Sequence, residues 1–161
     1  TKVILGAGAD GGAMGMVAER LGLRWCREYW SIDMVLYDDT VGESGPRETY
    51  ATYLGVAVEH ESNISSSWEE LNKLSVLNAP LKVLITYPHA DRIEAELDAY
   101  AELLKRADIF GDFSTHRQQL VIFGVRQNER LLWSYHVYHK GEFLALQRPL
   151  VQATTEDPPG H

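Results

Sequence analysis

The chain has 161 residues, 45% of them hydrophobic and 24% charged, proportions that exclude global disorder and fit a soluble globular domain. Fifteen basic residues against 23 acidic ones leave a net charge of −8, which excludes attachment to nucleic acid by bulk charge, so any phosphate chemistry has to rest on a local site with a metal. The one cysteine, Cys26, excludes an internal disulfide and a zinc–thiolate cluster, and points to a reducing, cytoplasmic compartment. No apolar run approaches the ~18 residues of a membrane span, and the first residues lack the apolar stretch of a signal peptide. No membrane partner is expected. A chain of this length buries roughly 70% of its unfolded surface, and one domain over residues 1–151 is expected. Within it residues 1–12 form a glycine-rich lead-in, and residues 152–161 (QATTEDPPGH) follow as a tail.

Taken in chain order, Met14–Leu21 reads as a short helix stopped by Gly22. Arg24–Asp38 (RWCREYWSIDMVLYD) reads as one long strand or a hairpin pair, and Asp38–Tyr50 as a turn-rich excursion. Val56–Ser62 (VAVEHES) is a strand. Ser65–Leu77 is a helix with Trp68, Leu71, Leu74 and Leu77 on one face, and Ser66 with Glu69 has the spacing of a capping box. Leu81–Tyr87 (LKVLITY) reads as a buried strand stopped by Pro88, and Asp91–Ala107 as a helix with Lys105 and Arg106 in its last turn. Gln119–Val125, Leu131–His139 and Glu142–Leu146 read as an antiparallel meander. The expected fold is therefore α/β, a mixed sheet flanked by helices, ordered α, β, β, β, α, β, α and a β run.

The chemistry candidates are acids in apolar strands. Side chains alternate along a strand, so Glu59 and Glu61 point to one side, about 7 Å apart, and Val56 and Val58 to the other. Asp33 lies in SIDMVLY, where a carboxylate is costly unless paired, hydrogen-bonded or bound to a cation. With the two strands adjacent, Asp33, Glu59 and Glu61 converge. Their mutual repulsion would be relieved by magnesium or manganese, hard cations that prefer oxygen. The bland alternative makes Glu59 and Glu61 the wet face of an edge strand and Asp33 a turn residue.

The run SIDMVLYDD, then VAVEHES, then a helix carrying Lys73, then LKVLITYP resembles the PD-(D/E)xK nuclease superfamily, the restriction-endonuclease-like fold. The likeness covers residues 14–87 and implies an αβββαβ core. Asp33 matches the first acid and Glu59 the second, while Glu61 stands where the family lysine is expected. Some members carry Glu-x-Glu there. In others the lysine moves to the following helix, which makes Lys73 the relocated candidate. Glu19 matches the helix position that often supplies an extra metal ligand. The resemblance implies a metal-dependent phosphodiester hydrolase acting on nucleic acid, DNA ahead of RNA, as a homodimer or with a partner protein. It also implies that the His60 carbonyl is a further ligand. By strand geometry Glu61 is favoured over Lys73 as the group that orients the attacking water.

Two other readings stand beside this one. A non-catalytic domain of the same fold would bind partners through Gln119–Leu146. Gly6-Ala7-Gly8-Ala9-Asp10-Gly11, after apolar Val3-Ile4-Leu5, has the glycine fingerprint of a dinucleotide-binding βαβ unit, with Asp38 as the ribose acid. The rest of the chain lacks the strand–helix alternation such a fold requires. His89 and Asp91 read as capping residues, and His136 and His139 face opposite sides of a strand. Trp25, Tyr29, Trp30, Trp133, Tyr135 and Tyr138 read mostly as strand residues of a core or interface.

Overall fold

The computed structural model describes residues 2–6, 11–38, 53–111, 113, 116–128 and 130–146. Most of the turn-rich excursion, the middle of the glycine-rich segment and the tail lie outside these residues. Seven strands form one sheet in chain order: β1 (Arg24–Tyr29), β2 (Ile32–Tyr37), β3 (Leu54–Glu61), β4 (Leu81–Thr86), β5 (Gln118–Gln127), β6 (Arg130–His139) and β7 (Glu142–Ala145). Neighbours are antiparallel at every join except β3–β4 and β4–β5, which are parallel. A parallel join needs a crossover, and α3 (Ser67–Ser75) and α4 (Ile93–Ala107) supply the two. Both crossovers step the same way across the sheet, so the right-handed rule puts both helices on one face. Preceding the sheet, α1 (Lys2–Leu5) and α2 (Gly12–Arg20) cover the other.

Strand alternation sorts the core into two layers. Val35, Ala57, Leu84, Val121 and Phe123 pack with Leu71 and Leu74 of α3 and Tyr100 and Leu104 of α4. Met34, Val56, Val58, Val83 and Ile85 pack with Leu5 and Ala18. β3 and β4 are covered on both sides, which is why VAV and LKVLIT read as nearly continuous apolar runs. Gly124 of β5 lacks a side chain for a steric reason: a Cβ there would lie 2.7 Å from the Tyr87 ring and 2.9 Å from Trp133.

The expected order of elements is the observed one, with several local corrections. Arg24–Asp38 is a hairpin whose two-residue turn, Trp30-Ser31, joins the rung Tyr29↔Ile32. Trp30 is thus a turn residue, 74% exposed, and not part of a strand. The Ser66–Glu69 capping box does not form: the Ser66 hydroxyl donates to the Asn63 carbonyl instead. Trp68 lies outside the buried face, half-exposed, and Leu71 and Leu74 carry the packing. The long helix starts at Ile93 behind a short 3-10 turn, Ala90–Arg92, and the His89 side chain makes no capping bond. Val3-Ile4-Leu5 is helical, so the glycine fingerprint lacks the strand that a dinucleotide-binding unit places before it. Among the described residues no helix is long and apolar enough to cross a membrane.

Candidate functional site

Glu59 sits near the C-terminal end of β3, on the side covered by α3, and is only 1% exposed. A carboxylate so buried needs partners. Across the sheet, β1 and β2 pair at Arg27↔Met34 and Tyr29↔Ile32, and Glu28 between them is twisted to φ 53°. Opposite that twist the Asp33 amide turns to the other neighbour and donates to Glu59 Oε2 at 3.4 Å. The reciprocal bond runs from the His60 amide to Asp33 Oδ2, at 2.8 Å. Side chains thus replace ladder carbonyls where β2 meets β3, and they bring Asp33 and Glu59 together as the sequence leads one to expect.

The third member is a lysine. Lys73, in the last turn of α3, reaches back so that its Nζ lies 2.8 Å from Glu59 Oε1. The same ammonium is paired with Glu70 one turn earlier and donates to the Ser31 carbonyl at 2.9 Å. Three elements are therefore tied at one point: the end of β3, the first residues of β2 with their turn, and α3.

The structure does not bring Glu61 and Glu19 to this point. Glu61 Oε1 accepts the Asn63 amide at 2.6 Å, an Asx-like closure of the strand end. Among the described residues no group of three His, Cys, Asp or Glu could hold a metal, so Asp33, Glu59 and Glu61 do not form the expected three-acid cluster. Alternation alone places Glu61 on the right face, but the turn that follows claims its carboxylate. Glu19 is exposed on α2, which covers the opposite face of the sheet from α3. His60 points away from the acids, as strand alternation requires, and its Nε2 lies 2.7 Å from the Tyr87 hydroxyl.

The electrostatics follow from burial. Burial pushes the Glu59 carboxyl up to about 8; Lys73 pulls it back, while Glu70 and Asp33 push the same way as burial. Burial lowers Lys73, but its hydrogen bonds to Glu59 and Glu70 outweigh this and leave the ammonium above its ordinary value. Burial pushes the His60 imidazole down, towards the neutral form. Burial thus favours the protonated form of Glu59 and the pair with Lys73 the ionised one, with burial the larger effect.

As a cation site this point offers two carboxylates, with no third His, Cys, Asp or Glu joining them among the described residues. Magnesium is held by one or two carboxylates, with waters or substrate oxygens completing six, and Asp33 and Glu59 supply two. On β4, in register with Glu61, the Thr86 hydroxyl is buried with no hydrogen-bond partner among the described residues. An orphaned buried hydroxyl is costly unless a ligand or water meets it. Neither Thr86 nor Glu70 is singled out by the acid-x-acid pattern; Glu70 could be found only as the helical i−3 neighbour of Lys73. Compared with known proteins, the chain matches no family model, no curated protein and no solved structure.

Proposed function

We propose that the chain is a divalent-metal-dependent nuclease of restriction-endonuclease-like architecture, with Asp33, Glu59 and Lys73 as its working residues. The observation that carries this reading is the Lys73 ammonium, 2.8 Å from a buried Glu59 whose carboxylate accepts the Asp33 amide, while the His60 amide donates to the Asp33 carboxylate. The arrangement α2–β1–β2–β3–α3–β4 supports it, since this is the αβββαβ order that the resemblance implies. The charges support it too. Asp33, Glu59 and Glu70 gather about the Lys73 ammonium, and a phosphodiester approaches such a site only when a cation offsets the carboxylates.

Asp33 and Glu59 would hold magnesium or manganese, with the His60 carbonyl as the further ligand that the resemblance implies. The bound ion would supply a Lewis acid that acidifies a water and offsets charge on the phosphate. Lys73, a donor with no acceptor capacity, orients the attacking water and steadies negative charge on the phosphate oxygens. The lysine role thus passes from Glu61, which strand geometry favours in the sequence, to Lys73. DNA is the preferred substrate over RNA.

Incubation with single- and double-stranded DNA and with RNA, in magnesium or manganese, tests the reading. Cleavage by the native chain that stops on chelation is expected, with a loss of about 100-fold or more in Asp33→Asn and Glu59→Gln. Glu61→Gln should retain activity within about fivefold. No metal-dependent cleavage of any of these substrates by a folded native chain would overturn the proposal.

A further inference from the structure

We propose that the chain forms a two-fold dimer in which the α1–α2 layer of each copy lies on the uncovered half of the other copy's sheet. The inference goes beyond the nuclease reading and stands without it.

α1 and α2 occupy one side of the sheet, and they occupy it unevenly. Leu5 and Ala18 seat on β2, β3 and β4 through Met34, Val58 and Val83. Ile122 of β5 packs at the border of this layer, and the registers Ile122↔Tyr135 and Val137↔Leu144 put Tyr135, Val137 and Leu144 on the same side. By alternation Leu131 and Trp133 share it. Leu146 continues the ladder, its amide donating to the Tyr135 carbonyl at 2.8 Å. An antiparallel stretch that faces water normally turns polar residues outward. Here the outward row is apolar, and between Arg130 and His139 β6 carries no Asp, Glu, Lys or Arg. Leu131, Tyr135, Val137, Leu144 and Leu146 belong to neither core layer among the described residues.

The helices have the complementary feature. Gly15 and Ala18 of α2 are buried, while Met16 and Val17 are turned outward, and Val3 on α1 and Leu21 just past α2 are exposed as well. A helix is about 10 Å thick, so the bare half-sheet forms a step of that depth beside the α1–α2 layer. Turning one copy by 180° about an axis parallel to the strands sets its helices into the step of the other, and symmetry makes the contact reciprocal.

Size and charge favour a second copy over a foreign partner. The largest apolar patch on a monomer is about 300–600 Å², whereas a stable interface buries about 800 Å² on each partner. A peptide on the half-sheet would cover one patch and leave the helix patch wet; the reciprocal dimer uses both patches of each copy. Two chains of net charge −8 repel each other, so contact between copies has to be made on surface without carboxylates. The β6 row is such a surface, and it offers a basic partner nothing to pair with.

Sedimentation equilibrium of the native chain over a concentration series, at about 0.1 M and about 0.5 M NaCl, tests this. A monomer–dimer equilibrium is expected, tighter at the higher salt because screening relieves the repulsion between the copies. Met16 is 59% exposed and Leu144 45%, so Met16→Glu and Leu144→Lys leave the fold intact, as circular dichroism should verify. Each should weaken the dimer at least about tenfold. An equimolar mixture of the two variants should recover it. In the mixed dimer one helix-on-sheet junction is native, and the other sets the introduced carboxylate against the introduced ammonium. A native chain still monomeric at about 100 μM would overturn the inference and leave the face to another occupant. So would a dimer that neither substitution weakens, or a mixture that stays monomeric, since the latter places each patch against its own kind. Sedimentation needs neither metal nor nucleic acid, so its outcome is independent of the cleavage assay.

Discussion

On the proposed nuclease reading, Lys73→Met is expected to abolish phosphodiester cleavage without weakening metal binding, because an ammonium never ligates a cation. Its effect on stability should depend on pH. With its carboxyl pushed up to about 8, Glu59 is protonated at pH 5 in the folded chain, and the substitution there removes the pair with Glu70 and the hydrogen bond to the Ser31 carbonyl but little else. The cost at pH 5 should be under about 1 kcal/mol. Glu59 binds its proton more tightly folded than unfolded, so native stability falls as pH rises from about 4.5 towards 8, by at most about 1.4 kcal/mol per pH unit. Above 8 the native chain has an ionised Glu59 facing Lys73, and the variant has a buried carboxylate with no cation beside it. Removing one partner of a buried pair costs about 3–5 kcal/mol. Lys73 is 35% exposed, so the expected loss at pH 9 is nearer about 2 kcal/mol. Thermal denaturation at pH 5 and pH 9 checks this: the two proteins should nearly coincide at the first and separate at the second. A uniform loss at both pH values would mean that Lys73 serves packing alone.

The second large effect has the opposite sign. Lys82, on β4, is 0% exposed and faces the α3–α4 core, where its Nζ donates to the Ser75 carbonyl at 3.2 Å and lies 4.4 Å from the centre of the Phe113 ring. Burial pushes the ammonium down to about 8, nearby Arg117 pushes the same way, and Asp108 offsets part of it. A base with a depressed folded value destabilises the fold at every pH below that value, and the penalty fades as pH climbs from about 8 to 10.5. Lys82→Met keeps length and volume, removes the buried charge, and loses one hydrogen bond and one cation–π contact. A gain of about 2 kcal/mol at pH 7, shrinking by pH 10, is expected in urea unfolding. Destabilisation at pH 7 would show that the Ser75 bond outweighs desolvation.

The elements were legible because their periods are clean. Leu71 and Leu74 on α3, and Tyr100 and Leu104 on α4, recur at helical spacing, and VAV beside LKVLIT marks central strands. Asp33 and Glu59 were legible because a carboxylate in an apolar strand has to be satisfied somewhere. What the pattern misplaced lies at element ends. Glu61 has the right alternation, but the Asn63 amide captures it, and no periodicity reports a side chain turning into the following loop. Lys73 depends on the rotation of α3, which is set by Leu71 and Leu74 seating on the sheet, and charge pattern alone offers Glu69 and Glu70 as equal partners. Trp30 reads as strand because its neighbours are aromatic, and the turn carries none of the Asn, Asp or Gly residues that usually announce one.

Calorimetric titration of the folded native chain with manganese at pH 7, repeated in buffers of different ionisation enthalpy, tests most directly whether Asp33 and Glu59 form a metal site. Saturable binding with release of close to one proton is expected, because Glu59, held up to about 8 by burial, has to lose its proton to become a ligand. Asp33→Asn should weaken that binding at least about tenfold, and Lys73→Met should not. No saturable heat, or binding indifferent to Asp33→Asn, would contradict the account.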